Sequence, residues 1–586
     1  MAGIHVRLNT MDPTIVPLTA PNAGATAAPP RTLIEWLAFA ERALAADDAA
    51  SAESAFAQAL ELAPNDRRVL DGLARAAAAL GRADGEIWAL RRIAELAPDD
   101  AIAHAELGDA LRRADRNDEA AGALFLAKTR APRDRQIRWL AWHTLPIVHA
   151  DRASFDRART LWDQELGAFE AELAERPPTP AEGLALLTGA TNFHRHYLGD
   201  PLVELQRRYG ALLGTLARAA FPGFDAPLRG SGAKRRRIGF VSAHLREHTV
   251  LKIFARWMTD LDPARFERIV FALEPRRDAW TDRLEAGVDR YVAAPERIEA
   301  LPATIRDAKL DVLVHLDVGM HPYSQLLAPL RLAPLQINTW GHPITSGCAA
   351  LDAYVSGAAM EPPDGAQRYS ERLIALPNLG SDYDRPADPS DYRVALPDAS
   401  LAGYFFCPQS AHKLHPGHDT VYAEILARCP RHALVLVPHP KAEVRERLER
   451  RLAKALRARG VDPARRLVVL PALPYRDFLA VARHAALLVD SFDWSGFNTS
   501  IESLGAGTPI VTLPGDTMRA RHTAAMLGLL ELPELVVRDV ESYIATVCAI
   551  ASDPERRRAL STTISERSDA LFRDPAVLPA LTEVLA

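Results

Sequence analysis

The densest run of polar chemistry in the 586-residue sequence is Asp490-Ser491-Phe492-Asp493-Trp494-Ser495-Gly496-Phe497-Asn498-Thr499-Ser500-Ile501-Glu502. The apolar stretch 485–489 before it reads as a buried strand ending at Asp490. Asn498, Thr499 and Ser500 then open a helix. At such a start the first N–H groups lack intrahelical partners, and the helix dipole adds positive charge. That combination suits a diphosphate. Glu502, on the first turn, is placed to accept hydrogen bonds from ribose hydroxyls. The alternative is that Asn498 or Thr499 is only an N-cap. Both can hold together, because a phosphate sits where a cap would.

Two further clusters carry chemistry. Cys407-Pro408-Gln409-Ser410-Ala411-His412-Lys413 follows the apolar run 404–406. A lysine in such a loop neutralises charge building on a leaving phosphate; the alternative is an ordinary exposed lysine. Arg246-Glu247-His248-Thr249 follows the run 238–241. Histidine titrates near neutrality and suits proton transfer from an acceptor hydroxyl; the alternative is a structural histidine at a helix start. His244, His342, His412 and His415 fall in loops on the same side. Asp260-Leu261-Asp262 and Asp382-Tyr383-Asp384 have the D-x-D spacing of some metal sites, but neither follows a convincing strand. No metal is expected.

The elements that must position these residues alternate. Short apolar runs at 238–241, 269–273, 312–316 and 335–338 are separated by helical stretches. A second series follows at 404–406, 434–437, 467–470, 485–489 and 510–513, with helices such as 444–456 and 475–484 between. This alternation predicts two parallel sheets with helices on both faces. Such domains bind ligand at the carboxyl ends of their strands, in the cleft between them. The basic run Lys234-Arg235-Arg236-Arg237 sits at the border and reads as a solvated edge.

The amino-terminal part repeats. Glu61-Leu62-Ala63-Pro64-Asn65-Asp66 returns as Glu95-Leu96-Ala97-Pro98-Asp99-Asp100, and Ala131-Pro132-Arg133-Asp134 continues the register. A period of about 34 residues marks tetratricopeptide repeats, of which about three are present. Small residues such as Ala40, Ala52, Gly108 and Ala120 let paired helices approach, and the prolines end the second helix. Residues 136–230 stay helical and less regular, with Trp139, Trp142, Trp162 and Tyr197 as packing anchors. Residues 1–30 are rich in Pro, Ala and Thr and read as a disordered tail.

Composition limits the function classes. Seventy-five acidic against 70 basic residues leave a net charge of −5, which gives no general reason to expect nucleic acid or an acidic membrane. Four scattered cysteines make no disulfide framework and contain no C-x-x-C pair, so a reducing compartment fits. No run approaches the 18 or so apolar residues that would span a membrane. Residues 1–18 lack a basic head followed by an apolar run, so no secretory signal is expected. A cytoplasmic location follows as the expectation.

Taken in chain order, these features resemble the O-GlcNAc transferase and SPINDLY group of protein glycosyltransferases, from about residue 33 to 575. The motifs that carry the resemblance are Trp340-Gly341-His342-Pro343-Ile344-Thr345-Ser346-Gly347, Tyr369-Ser370-Glu371-Arg372-Leu373, the stretch 409–416, and Gly507-Thr508-Pro509-Ile510-Val511-Thr512-Leu513-Pro514-Gly515. The resemblance implies an α-helical tetratricopeptide superhelix followed by an α/β GT-B fold, two Rossmann-like halves with the active site between them. The implied boundaries are 31–135 for the repeats, 136–232 for a helical connector, 233–392 for the first half and 393–586 for the nucleotide-sugar half.

It further implies inverting transfer without a metal or other cofactor. The expected co-substrate is a nucleotide sugar, UDP-linked, with GDP as the alternative. His248 falls on the family's active-site histidine and Lys413 on its diphosphate-contacting lysine. Gln409 and Ser410 belong to the donor loop. Leu473, Tyr475 and Phe478 fall on the segment that holds the base. Asn498, Thr499 and Ser500 fall on the phosphate-binding helix start, and Glu502 on the ribose-binding acid. Gly341, His342, Pro343 and Trp494 fall beside the sugar and acceptor. Phe497, Trp494 and Gly341-His342-Pro343 depart from the animal enzymes, which leaves the sugar open. N-acetylglucosamine is the family default; glucose or fucose, with an asparagine acceptor, is the alternative. The expected partner is a protein bound through the repeats and modified on Ser or Thr. A non-catalytic repeat scaffold is the reading from another class, and His248 and Lys413 in the matching places argue against it.

Overall fold

The computed structural model describes residues 30–199 and 202–586. The tail expected over 1–30 thus lies, apart from Pro30, outside the described residues. The chain divides into two compact units, one ending at Thr144 and the other starting at Leu145.

In the first unit, helices pair as Leu33–Ala45 with Ala49–Leu62, Arg67–Ala79 with Ala83–Leu96, and Ala101–Arg113 with Asn117–Arg130. Helix Arg135–His143 follows in the same unit, beyond the expected end at 135. The repeated Pro-x-Asp explains the period. Each proline stands where one helix stops, and the aspartate two residues on caps the next. Asp66 accepts from the Arg68 N–H, Asp100 from those of Ile102 and Ala103, and Asp134 from those of Gln136 and Ile137. Each such cap stabilises its helix by about 1 kcal/mol. Glycine sets how closely the helices approach: a Cβ at Gly72 would fall 2.2 Å from the Phe56 ring, and one at Gly108 2.5 Å from Leu124.

The second unit holds two parallel sheets. The first runs β1 (Arg236–Ser242), β2 (Phe266–Ala272), β3 (Arg290–Ala293), β4 (Val312–His315), β5 (Leu335–Asn338), β6 (Ala353–Gly357) and β7 (Arg372–Leu376). Its order is β3-β2-β1-β4-β5-β6-β7, with Phe240 beside Val314 in the central pair. The second contains β8 (Gly403–Cys407), β9 (His432–Leu436), β10 (Leu467–Val469), β11 (Leu487–Val489) and β12 (Ile510–Val511), in the order β10-β9-β8-β11-β12. The central strands are buried along most of their length, as parallel sheets covered on both faces require. Strand order reverses between β1 and β4 and again between β8 and β11. Each reversal opens a crevice at the carboxyl ends of those strands.

The connector is a docked layer rather than a spacer. Helix Val203–Ala220 lies so close to the first half that a Cβ at Gly210 would meet the Gly347 carbonyl oxygen at 2.1 Å. Gln206 Nε2 donates to the Thr345 carbonyl at 3.0 Å, and the Tyr209 hydroxyl to Gln325 Oε1 at 2.8 Å. The cysteines also differ from expectation in one respect. Cys429 and Cys548, free thiols far apart in sequence, meet with their sulfurs 3.0 Å apart.

Candidate active site

Both strand-order reversals carry the residues singled out by sequence. On the second sheet, β8 leads to Gln409 and Lys413, and β11 to Asp490. Asp490 is buried and organises the loop: Thr512 Oγ1 donates to it at 2.8 Å, the Gly496 N–H at 3.0 Å and Gln409 Nε2 at 3.2 Å. Burial pushes its carboxyl above the usual range. Lys413 Nζ donates to Gln409 Oε1 at 3.1 Å and to the Ser495 carbonyl at 3.3 Å. Burial lowers its ammonium to about 8. Lys413 is therefore a cation held by neutral oxygens, not an exposed surface lysine.

Helix Asn498–Gly505 starts next to it. Its N-cap is Phe497, which supplies no side-chain cap, so neither Asn498 nor Thr499 plays that part. Asn498 Nδ2 donates to the Tyr383 hydroxyl at 3.0 Å, while its buried Oδ1 has no partner among the described residues. Thr499 Oγ1 accepts from Gln409 Nε2 at 3.4 Å. The Ser500 hydroxyl pairs with Thr523 Oγ1 at 2.8 Å, inside the protein, so only its backbone is left for a phosphate. Ser410 precedes the short turn Ala411–Lys413 and accepts the Lys413 N–H through its carbonyl at 2.9 Å.

Glu502 is buried under three donors that the sequence did not reveal together. Lys252 Nζ, the Tyr383 hydroxyl and the Tyr475 hydroxyl reach Oε1 at 2.7, 2.8 and 3.0 Å. Lys252 comes from helix Thr249–Thr259, so this ion pair ties the two halves at the cleft. All three reach the same oxygen, and among the described residues no donor reaches Oε2. Phe478 packs on Phe406 with ring centroids 5.6 Å apart, and Leu473 packs against the same core. The second Asp pair is spent on ions within the protein: Arg256 Nε donates to Asp382 at 2.7 Å and Arg573 Nε to Asp384 at 2.8 Å.

On the first sheet, His248 caps helix Thr249–Thr259: the Val250 N–H donates to its Nδ1 at 3.2 Å. Burial, with His244 and Arg246 nearby, lowers its imidazolium to about 3. This differs from the near-neutral titration that a general base there leads one to expect. Gly341 is a contact glycine, since a Cβ would fall 1.9 Å from the Leu316 carbonyl oxygen. Gly341→Ala is expected to lower the unfolding midpoint by about 1–3 kcal/mol of stability, as overpacking does, which thermal melts check. His342 is buried, with Nε2 2.6 Å from His196 Nδ1.

The connector supplies the part that sequence reasoning missed. The turn Phe193–Leu198 brings Tyr197 onto Trp494, stacked with centroids 4.0 Å apart and planes at 23°. The Arg519 guanidinium lies 5.4 Å from the same indole. A cavity of about 390 Å³ opens here, lined by Tyr197, Pro343, Ile344, Lys413, Trp494 and Arg519 among others. Trp494 is thus a fixed wall of the cavity that contains Lys413, and does not turn away from it.

Paired parallel sheets with an uncapped helix start, a buried lysine and a cavity at their crevices define the fold class, GT-B. Residues 390–573 match the model of Glycosyl transferase family 41. The chain is similar to a probable UDP-N-acetylglucosamine–peptide N-acetylglucosaminyltransferase SEC of Arabidopsis thaliana, 24% identical over 64% of this chain and 40% of that protein. It is also similar to a probable enzyme of the same description, SPINDLY, of Solanum lycopersicum, 26% identical over 54% of this chain and 34% of that protein. The chain thus spans less than half the length of these curated relatives. A mutant O-GlcNAc transferase of Thermobaculum terrenum shares the fold, with a TM-score of 0.65 and 24% identity over 94% of this chain and 98% of that one. Among the described residues, no helix is long and apolar enough to cross a membrane.

Proposed function

We propose that the protein transfers a sugar from a nucleotide sugar to a serine or threonine hydroxyl of a protein, with inversion and without a metal ion. One observation carries the reading: Lys413, Gln409 and the uncapped start of helix Asn498–Gly505 converge beside the cavity walled by Trp494. The acceptor oxygen attacks the anomeric carbon while the nucleoside diphosphate leaves, and the lysine and helix start stabilise the departing charge. The names of the relatives support N-acetylglucosamine from UDP as donor. The clamped Trp494 supports a second reading, an unacetylated hexose, because an indole takes up room beside the sugar.

Incubating the purified protein with UDP-N-acetylglucosamine, UDP-glucose and GDP-fucose, plus lysate proteins as acceptors, tests this through released diphosphate and acceptor mass shifts. No release with any donor would reject it. The repeats are the proposed acceptor-binding part, supported by their being a separate compact unit. A chain starting at Leu145 is expected to bind donor normally and lose transfer to its protein acceptor. Unimpaired transfer by that shortened chain would give the repeats another role.

A further inference from the structure

The cleft histidines differ in how their ring nitrogens are used, and this separates their possible roles. A general base needs a nitrogen lone pair facing the substrate, with the other nitrogen held as N–H by an orienting group. In His248, Nδ1 is used as the helix cap. The neutral ring then carries its proton on Nε2, which can donate but not accept. In His321, the Tyr323 N–H donates to Nδ1 at 3.2 Å and Nε2 lies 2.9 Å from Glu274, so both nitrogens are engaged. His342 spends Nε2 on His196. In His415, the Gly417 N–H donates to Nδ1 and Nε2 lies 3.2 Å from Asp493.

His244 is arranged the other way. Its Nδ1 lies 2.7 Å from Asp317 Oδ2. Asp317 is buried and also accepts from Ser242 Oγ at 2.8 Å, the Ala243 N–H at 2.9 Å and Ser324 Oγ at 2.7 Å. Those donors hold the carboxylate ionised, well below the usual range. An ionised carboxylate only accepts, so Nδ1 of His244 donates to it, and in the neutral ring Nε2 keeps its lone pair. No described residue bonds that Nε2.

The dyad also lies in the right place. His244 follows β1 and Asp317 follows β4, the two strands at which the first sheet reverses order. The His244 and His248 rings are 4.3 Å apart. Two residues past Asp317, a Cβ at Gly319 would lie 3.5 Å from the His342 ring, whose own ring is 5.6 Å from Trp494. The loop after β4 thus runs close beside His342, which neighbours the Trp494 wall of the cavity.

We infer that His244, oriented by Asp317, is the proton acceptor of the transfer reaction, and that His248 is a neutral hydrogen-bond donor beside it. The assignment rests on the glycosyl-transfer reading. The acceptor O–H bond breaks and its proton goes to His244 Nε2. The oxygen bonds to the anomeric carbon, whose bond to the phosphate oxygen breaks. The electron pair leaves with the nucleoside diphosphate, and the imidazolium later yields its proton to water. Asp317 is a positioning residue: it fixes the tautomer and stabilises the imidazolium. The titratable groups that face the His244 ring are Asp317 and His248; Arg246, Arg276, Glu274 and Asp278 act on His248 and Arg246 beside it.

The test compares wild type, His244→Gln, His248→Gln and Asp317→Asn for transfer rate against pH, with nucleotide affinity measured separately by calorimetry. A base must be unprotonated, so the wild-type rate rises with pH through an acidic limb. His244→Gln is expected to lower turnover by roughly 10²- to 10⁴-fold and to abolish that limb, with nucleotide affinity unchanged. Asp317→Asn is expected to move the limb to lower pH, since losing a carboxylate disfavours the imidazolium. His248→Gln is expected to keep the limb. A limb retained in His244→Gln, or lost in His248→Gln, overturns the assignment while leaving glycosyl transfer standing. A wild type that releases no diphosphate from any nucleotide sugar overturns both.

Discussion

Lys413→Ala is expected to cut the turnover number by roughly 10²- to 10³-fold, the usual effect of removing one pre-organised charge stabiliser, while donor affinity changes less. The difference arises because charge on the leaving diphosphate grows between bound donor and transition state. Lys413 is suited to meet it: its direct hydrogen-bond partners are the neutral Gln409 Oε1 and Ser495 carbonyl, so its charge is not cancelled in place. Burial holds its ammonium at about 8, with Asp490 and Cys407 opposing part of that fall. The protonated form does the work, so kcat/KM is expected to decline as pH rises through about 8. With donor bound, the diphosphate favours the ammonium, and the decline in kcat is expected at higher pH. Steady-state kinetics from pH 6 to about 10 check both limbs against Lys413→Ala. A mutant with near-normal turnover would remove Lys413 from the mechanism.

How much was readable in the sequence depended on distance along the chain. The repeat register was legible because Pro64, Pro98 and Pro132 and the caps Asp66, Asp100 and Asp134 act within a few residues of where they stand. The central strands β1, β4, β8 and β11 were legible as continuous apolar runs. The edge strands β3 and β7, four and five residues of mixed exposure, and the short, fully buried β6 were not, since so few residues set no period.

The site shows the same division. Lys413 and Asn498 stand in local motifs at the ends of strands and were legible as candidates. Glu502 was too, but the lysine and two tyrosines that surround it come from three other segments. Tyr197 meets Trp494, and His244 meets Asp317, only after the chain has folded. No spacing announces such pairs. The ring nitrogen of His248 that bonds the local Val250 N–H is likewise not revealed by residue type alone.

Trp494→Ala is expected to have the other large effect, on stability and donor choice together. The indole is 6% exposed, stacked on Tyr197 and flanked by Arg519, with Leu202 and Ile344 packed around it. Truncating a buried tryptophan costs about 3–5 kcal/mol, so the melting temperature should fall clearly. The same truncation enlarges the 390 Å³ cavity beside Lys413. On the proposed function, a sugar whose diphosphate is held at Lys413 lies against that wall, since Lys413 and Trp494 line one cavity. An added acetamido group then meets a ring clamped on two faces, and a rigid pocket rejects such bulk at about 1–3 kcal/mol, or roughly 5- to 150-fold in selectivity. Wild type is therefore expected to favour UDP-glucose or GDP-fucose over UDP-N-acetylglucosamine, and Trp494→Ala to lose most of that preference. Tyr197→Ala, which frees one face of the indole, should give an intermediate shift. Initial rates with each donor at subsaturating concentration, on protein shown to be folded, decide the matter. A wild-type preference for the acetylated sugar that survives Trp494→Ala would mean the sugar lies elsewhere, and that the Tyr197–Trp494 stack serves only to dock the connector.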